Sequence, residues 1–95
     1  MTAGALHVVA YDIGNRKRWR RASRLLKQHG ARCQLSVFLV RATPATIARL
    51  SGDLRAILDG EEDALLIAPV DERVTASWHS FGRTGAVPIA QVVIV

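Results

Sequence analysis

Asp12 is the only carboxylate in the first 52 residues, and it stands between an apolar segment and a strongly basic one. An acid in that position can bind a divalent cation beside a phosphate or act as a local base. It can equally cap a turn or pair with a neighbouring arginine, and spacing alone does not choose between these roles. One carboxylate is too few for a Mg²⁺ site. A two-fold dimer that joins two copies of Asp12 would supply the second, with water and substrate phosphate completing the shell. The basic segment carries Arg16, Arg20 and Arg24 at intervals of four, and Lys17 and Arg21 at the same interval. On a helix each such like-charge pair is unfavourable by about 0.2–0.5 kcal/mol, and no acid in the segment offsets it. Beside a phosphate backbone the repulsion gives way to charge-assisted contacts. The plain alternative is a solvated helix face.

The charge is split along the chain. Residues 1–49 hold ten Lys/Arg against one acid, and residues 50–95 hold three against seven, so a net charge of +5 conceals halves of +9 and −4. A half this basic points to a polyanionic partner, most simply nucleic acid; a contribution to solubility alone is the blander reading. The 95 residues suffice for one domain, 1–95, with a modest core of the kind often supplemented by oligomerisation. Hydrophobic residues at 49% and charged residues at 22% exclude a disordered chain. No apolar run approaches the ~20 residues of a membrane span. With no basic stretch ahead of Leu6–Tyr11, no signal peptide is expected. A lone Cys33 excludes a disulfide framework, so a reducing cytoplasm is the expected compartment.

These residues need elements to position them. Leu6–Tyr11 reads as a buried strand ending at Asp12, with Gly14-Asn15 as its break. From Arg16 to His29 the positions Trp19, Ala22, Leu25, Leu26 and His29 follow a helical rhythm, with Gly30 at the place of a C-cap glycine. Leu35–Val40 reads as a second strand, apolar on both faces. Two short helices can cover only one face of a small sheet, so the other is a candidate dimer interface. Thr43-Pro44 predicts a helix start, Ile47, Leu50, Leu54, Ile57 and Leu58 its apolar stripe, and Gly60 its close. Ala64–Val70 is a third strand. Residues 71–86 read as a loop with a possible edge strand around Trp78 and Phe81, and Gln91–Val95 as a final strand. The fold class is α+β, ferredoxin-like βαββαβ with an extra C-terminal strand.

Other candidates carry less. His7, His29 and His79 lack ligand-like spacing, Cys33 reads as a small buried hydrophobe, and Trp19 could stack on a base although its helical phase places it in the core. There is no Gly-rich phosphate loop, and no base-reading set can be identified.

Val8-Val9-Ala10-Tyr11-Asp12-Ile13, the basic helix, then Gly30 and Arg32-Cys33-Gln34-Leu35-Ser36-Val37-Phe38 resemble the CRISPR-associated protein 2 family, whose members read "YDI", a basic helix and "G-x-R-x-Q-x-S-V-F". The turn Glu61-Glu62-Asp63 is also similar, and the likeness covers about residues 6–70. The chain departs from the pattern at Leu35 and Leu39, where many members carry tyrosine and an acid, and at Gly14-Asn15-Arg16, where acids are common. The resemblance implies a ferredoxin-like homodimer whose C-terminal strand often joins the partner's sheet. It further implies a Mg²⁺-dependent endonuclease acting on RNA or double-stranded DNA, and a place in spacer acquisition beside the CRISPR integrase subunit. By the same resemblance Asp12 is the metal-binding and catalytic residue, with Tyr11, Ser36 and Phe38 supporting it. Arg16, Arg18, Arg20, Arg21, Arg24 and Arg32 are the expected nucleic-acid ligands. The alternatives are a non-catalytic scaffold that bridges the integrase and a small ribonuclease or regulatory domain outside CRISPR.

Overall fold

In the computed structural model, which describes residues 4–82, the chain runs β1 (Ala5–Asp12), α1 (Arg16–Lys27), β2 (Gly30–Gln34), β3 (Val37–Ala42), α2 (Pro44–Ile57) and β4 (Ala64–Val70), then a 3₁₀ turn over Glu72–Ser77. The four strands form one antiparallel sheet in the order β2-β3-β1-β4. This is the expected ferredoxin-like βαββαβ arrangement. The predicted final strand, Gln91–Val95, lies outside the described residues.

Period-two alternation in β1 divides the interior into two layers. Val9 and Tyr11 face the helices, opposite Phe38 on β3 and Ile67 and Leu65 on β4. Ala22 and Leu26 of α1 and Leu50 and Leu54 of α2 close this layer. Each fully buried leucine contributes about 1.5–3 kcal/mol, so this packing outweighs a charge repulsion in α1 of roughly 1 kcal/mol in all. On the other face Leu6 and Leu39 are buried, with Val8, Ala31, Cys33, Val70 and Trp78 packed against them. Toward the end of β1 this face is open: Leu66, paired with Ala10, is 62% exposed. The sheet is therefore apolar on both faces, as its sequence predicts. Among the described residues, Trp78 covers only part of the face the helices leave bare.

Several predicted boundaries move. The single strand over Leu35–Val40 is two strands joined by a turn at Leu35-Ser36, and Leu35 is exposed rather than facing a layer. Gly30 is not a C-cap: α1 ends at Lys27 with Gln28 capping, and Gly30 begins β2. A Cβ on Gly30 would lie 2.1 Å from the Leu39 carbonyl oxygen, so close backbone approach, not helix termination, requires glycine here. α2 begins as predicted, with Thr43 accepting from the Thr46 amide and Pro44 following, but it closes at Leu58 rather than Gly60. The possible edge strand around Trp78 and Phe81 does not form: a 3₁₀ turn over Glu72–Ser77, initiated by Asp71 accepting from the Arg73 amide, is capped by Trp78, and Phe81 stands fully exposed beyond it.

One polar knot sets the end of β1 against its surroundings. The Asp63 side chain, which has no solvent-accessible surface, accepts from Arg18 Nε at 2.7 Å, the Asp59 amide at 2.9 Å and the Gly14 amide at 3.4 Å. Arg18 also reaches Glu62 at 3.0 Å. The β1–α1 loop, α1 and the α2–β4 turn are thereby fastened together. Arg18 and the Asp59 amide hold the Asp63 carboxyl below the usual carboxylate range, and the same pairing raises the Arg18 guanidinium above its ordinary value.

Two outcomes follow for stability. Gly30→Ala should destabilise the protein by about 1–3 kcal/mol in denaturant titration, the scale of an overpacked site; an unchanged midpoint would contradict the close approach. Asp63 is depressed only in the folded state, so its contribution is complete above the unfolded value of about 3.9 and is lost as pH falls through the lower folded value. Melting temperature should drop through that acid range, and Asp63→Asn should flatten the drop while melting lower at neutral pH. An acid limb identical in Asp63→Asn and wild type would show that Asp63 is not its source.

Candidate functional site

β1 ends at Asp12 because Gly14 and Asn15 turn the chain into α1, where Asn15 Oδ1 accepts the Arg18 amide at 2.9 Å. Asp12 pairs with Ala64 across the sheet and belongs, by the pleat, to the open face with Leu6, Val8 and Ala10. It borders a cleft of about 520 Å³ lined also by Ile13, Gly14, Arg16, Trp19, Arg20, Leu35 and Ser36. It also borders a shallow hollow with Ala10, Ala64 and Leu66. Asp12 thus stands where the basic helix meets the uncovered apolar face. Its side chain is exposed and, among the described residues, has no hydrogen-bond or ion-pair partner. The turn-cap and arginine-paired roles are therefore not the ones it adopts.

The far wall of the cleft is the Leu35-Ser36 turn, held by three donors. The Tyr11 amide donates to the Ser36 carbonyl at 3.1 Å, Trp19 Nε1 donates to Ser36 Oγ at 3.0 Å, and Arg32 donates to the Leu35 carbonyl. The Arg32 guanidinium lies 5.3 Å from the Trp19 ring centroid and 4.8 Å from that of Phe38. This stacking is a cation–π arrangement that orders all three side chains.

The arginines predicted as nucleic-acid ligands fall into two groups. Arg16, Arg20, Arg21 and Arg24 are exposed, and the helical period places Arg16, Arg20 and Arg24 in one stripe with Lys27, flanked by Lys17 and Arg21. Successive members of the stripe rise about 6 Å along the helix axis. Among the described residues none of these cations has a carboxylate partner; the ion pairs belong to Arg18, Arg41 and Arg73. Arg18 and Arg32 do not join the stripe. The first pairs with Asp63 and Glu62, the second with two aromatic rings and the Leu35 carbonyl.

The supporting residues also divide. Ser36 lies in the cleft. Tyr11 and Phe38 lie beneath it in the core, stacked at 6.4 Å between centroids, with the Tyr11 hydroxyl 2.7 Å from Ser23 Oγ. Two functional features escape the sequence: Asp63 as the anchor of the loop, and Trp19 as a donor to Ser36. The acidic turn before β4 was visible, but which of its carboxylates turns inward is a tertiary fact.

His29 Nδ1 bonds the Leu25 carbonyl at 3.1 Å and His7 is nearly buried, so neither enters the cleft. Burial pushes the Cys33 thiol up, in keeping with its place in the second apolar layer. Among the described residues no three His, Cys, Asp or Glu side chains cluster as a metal site. No helix among them is long and apolar enough to cross a membrane.

Comparison with known proteins agrees with this geometry. The family model for CRISPR associated protein Cas2 matches residues 5–77, from β1 through the 3₁₀ turn. A CRISPR-associated endoribonuclease Cas2 of Geobacter sulfurreducens is 35% identical over 92 residues, spanning 95% of this chain and 97% of that protein. One from Thermus thermophilus is 43% identical over 73 residues, spanning 76% and 78%. The solved structure of Streptococcus pyogenes Cas2 superposes with a TM-score of 0.76 at 27% identity, covering 81% of this chain and 99% of that one. A chain from a partial Cas6-RT-Cas1–Cas2 complex gives 0.70 at 28% identity, covering 93% and 99%. Likeness at this level across the whole βαββαβ unit means that the chain belongs to the CRISPR-associated protein Cas2 family.

Proposed function

We propose that this protein is a homodimeric subunit of CRISPR adaptation that cleaves phosphodiester bonds in RNA or double-stranded DNA, with Mg²⁺ held by Asp12 of each protomer. The observation that carries the reading is the position of Asp12, exposed and unpaired where the uncovered apolar face meets Arg16 and Arg20. Relatives of this chain bear the name endoribonuclease, and a similar chain sits in a Cas1–Cas2 assembly, which supports an integrase partner.

The residues present fit the ion. Mg²⁺ takes oxygen ligands, commonly one or two carboxylates together with waters and substrate phosphate oxygens. One chain offers a single carboxylate at the cleft, and packing a second copy on the open face near Ala10 and Leu66 would bring the partner's Asp12 to the same seam. When bound, the ion supplies Lewis-acid polarisation of the phosphoryl group and a water of lowered pKa. The chain's own groups do the rest. Asp12 fixes the site at the end of β1, Arg16 and Arg20 neutralise the phosphate placed in the cleft, and Arg21, Arg24, Lys17 and Lys27 extend the contact along the backbone. Such contacts position without reading bases, so binding is expected to be indifferent to sequence.

A second reading, a non-catalytic scaffold that bridges the integrase, is favoured by the single carboxylate each chain brings to the cleft. Labelled RNA and duplex DNA incubated with wild type or Asp12→Asn, in Mg²⁺ or in EDTA, decide between them. Nuclease function requires metal-dependent cutting by wild type that falls at least roughly a hundredfold in Asp12→Asn, the scale of losing one transition-state charge stabiliser, with duplex binding retained. Tight binding without cutting by either protein transfers the conclusion to the scaffold. Equal cutting by both, or loss of binding along with cutting, removes Asp12 from the proposed role.

A further inference from the structure

We propose that the Ser36 hydroxyl is a neutral hydrogen-bond donor to a phosphodiester oxygen, and that Trp19 is the positioning residue that turns its proton toward the cleft. This rests on the reading of the α1 cleft as a nucleic-acid site and adds to it a contact of a different physical kind.

An indole nitrogen can only donate, so at 3.0 Å from Trp19 Nε1 the Ser36 oxygen is necessarily the acceptor. A hydroxyl has one proton and two acceptor lobes. With one lobe filled by Trp19, the proton is free to be given elsewhere, and among the described residues no protein acceptor takes it. The geometry is held from both ends. The Ser36 backbone is pinned by the Tyr11 amide at 3.1 Å, and the Trp19 ring is pinned beneath the Arg32 guanidinium at 5.3 Å. The proton is therefore available to the cleft that Ser36 lines with Arg16 and Arg20, where an anionic oxygen is the acceptor the local charge selects. Asp12 shares the cleft, and a phosphate bound between them would take the donor that Asp12 cannot supply.

The contact has a signature that cations lack. Neutralising a phosphate with an arginine releases counterions, so its loss reduces the slope of log affinity against log salt by about 0.9 on duplex DNA. A hydroxyl releases none. For the full chain binding duplex DNA over a salt series, Ser36→Ala should weaken affinity roughly tenfold, the scale of a hydrogen bond to a charged acceptor, with the slope unchanged. Ser36→Thr, which keeps the hydroxyl, should restore most of it. Trp19→Phe should weaken binding similarly, and the double variant should be no worse than either alone, because both remove the same contact. The Trp19 indole N–H resonance, assigned by its loss in Trp19→Phe, should shift in Ser36→Ala and again when duplex is added to wild type. Ser36→Ala removes one oxygen, so it carries the test even where Trp19→Phe does not fold. Unchanged affinity in Ser36→Ala, a reduced slope, or additive losses would overturn the inference. A normal slope reduction in Arg20→Gln would then leave the nucleic-acid reading standing. Salt-independent binding, or none, by wild type overturns both.

Discussion

A buried carboxylate shared between three segments determines where everything near Asp12 lies. Asp63 receives Arg18, the Asp59 amide and the Gly14 amide, and so fixes the loop after β1 to the start of α1 and to the turn before β4. Removing a charge from water is costly unless donors replace the solvent. Here a guanidinium from α1 and two backbone amides, one in each adjoining turn, do so. The knot also sorts the cations. Of the basic residues on α1, only Arg18 points back across the fold to the acidic turn, and its charge is spent there. The rest are exposed and, among the described residues, have no carboxylate partner.

This sorting gives the segregated charge of the sequence a spatial meaning. The second half of the chain is acidic, yet among the described residues its carboxylates form no ion pair with the helix stripe. Glu62 and Asp63 are taken by Arg18, Glu72 by Arg41 and Asp71 by Arg73. Exposed cations about 6 Å apart along a helix axis repel one another weakly in water. They attract a polyanion strongly, at long range and without preference for sequence. Asp12, unpaired within this basic surroundings, is placed where a phosphate held by Arg16 and Arg20 would meet it.

Much of the scaffold was legible because its signals are local. β1 is short, apolar and rich in β-formers, Thr43-Pro44 announces α2, and the ALLIAPV run reads as a strand even though β4 lies at the edge of the sheet. β2 was not legible, for a physical reason. As an edge strand it pairs on one side only, and GARCQ needs neither alternation nor bulk, while its glycine answers to the Leu39 carbonyl rather than to a helix end. At the site, Asp12 and the four outward arginines could be named from spacing. Arg18 and Arg32 could not be told from their neighbours, since what distinguishes them is Asp63, 45 residues away for the first, and a pair of aromatic rings for the second. Trp19 shows the limit most plainly: helical phase correctly put its ring against the core and was silent about the nitrogen at its edge.

The two proposed activities rest on unequal geometric demands. Binding along α1 needs only exposed charge at roughly the right pitch, so each chain can contribute to it alone and lose one residue gradually. Cleavage as proposed would bring two carboxylates, one from each protomer, within coordinating distance of one ion. In the proposed dimer the catalytic site is therefore a property of the interface, assembled by the apolar face around Ala10 and Leu66 that the helices and Trp78 leave bare. Small displacements of that interface separate the carboxylates by more than a metal tolerates while hardly moving the helix stripe. In the proposed dimer the tolerance of cleavage would therefore lie in the seam between copies, and the strength of binding on the surface of each.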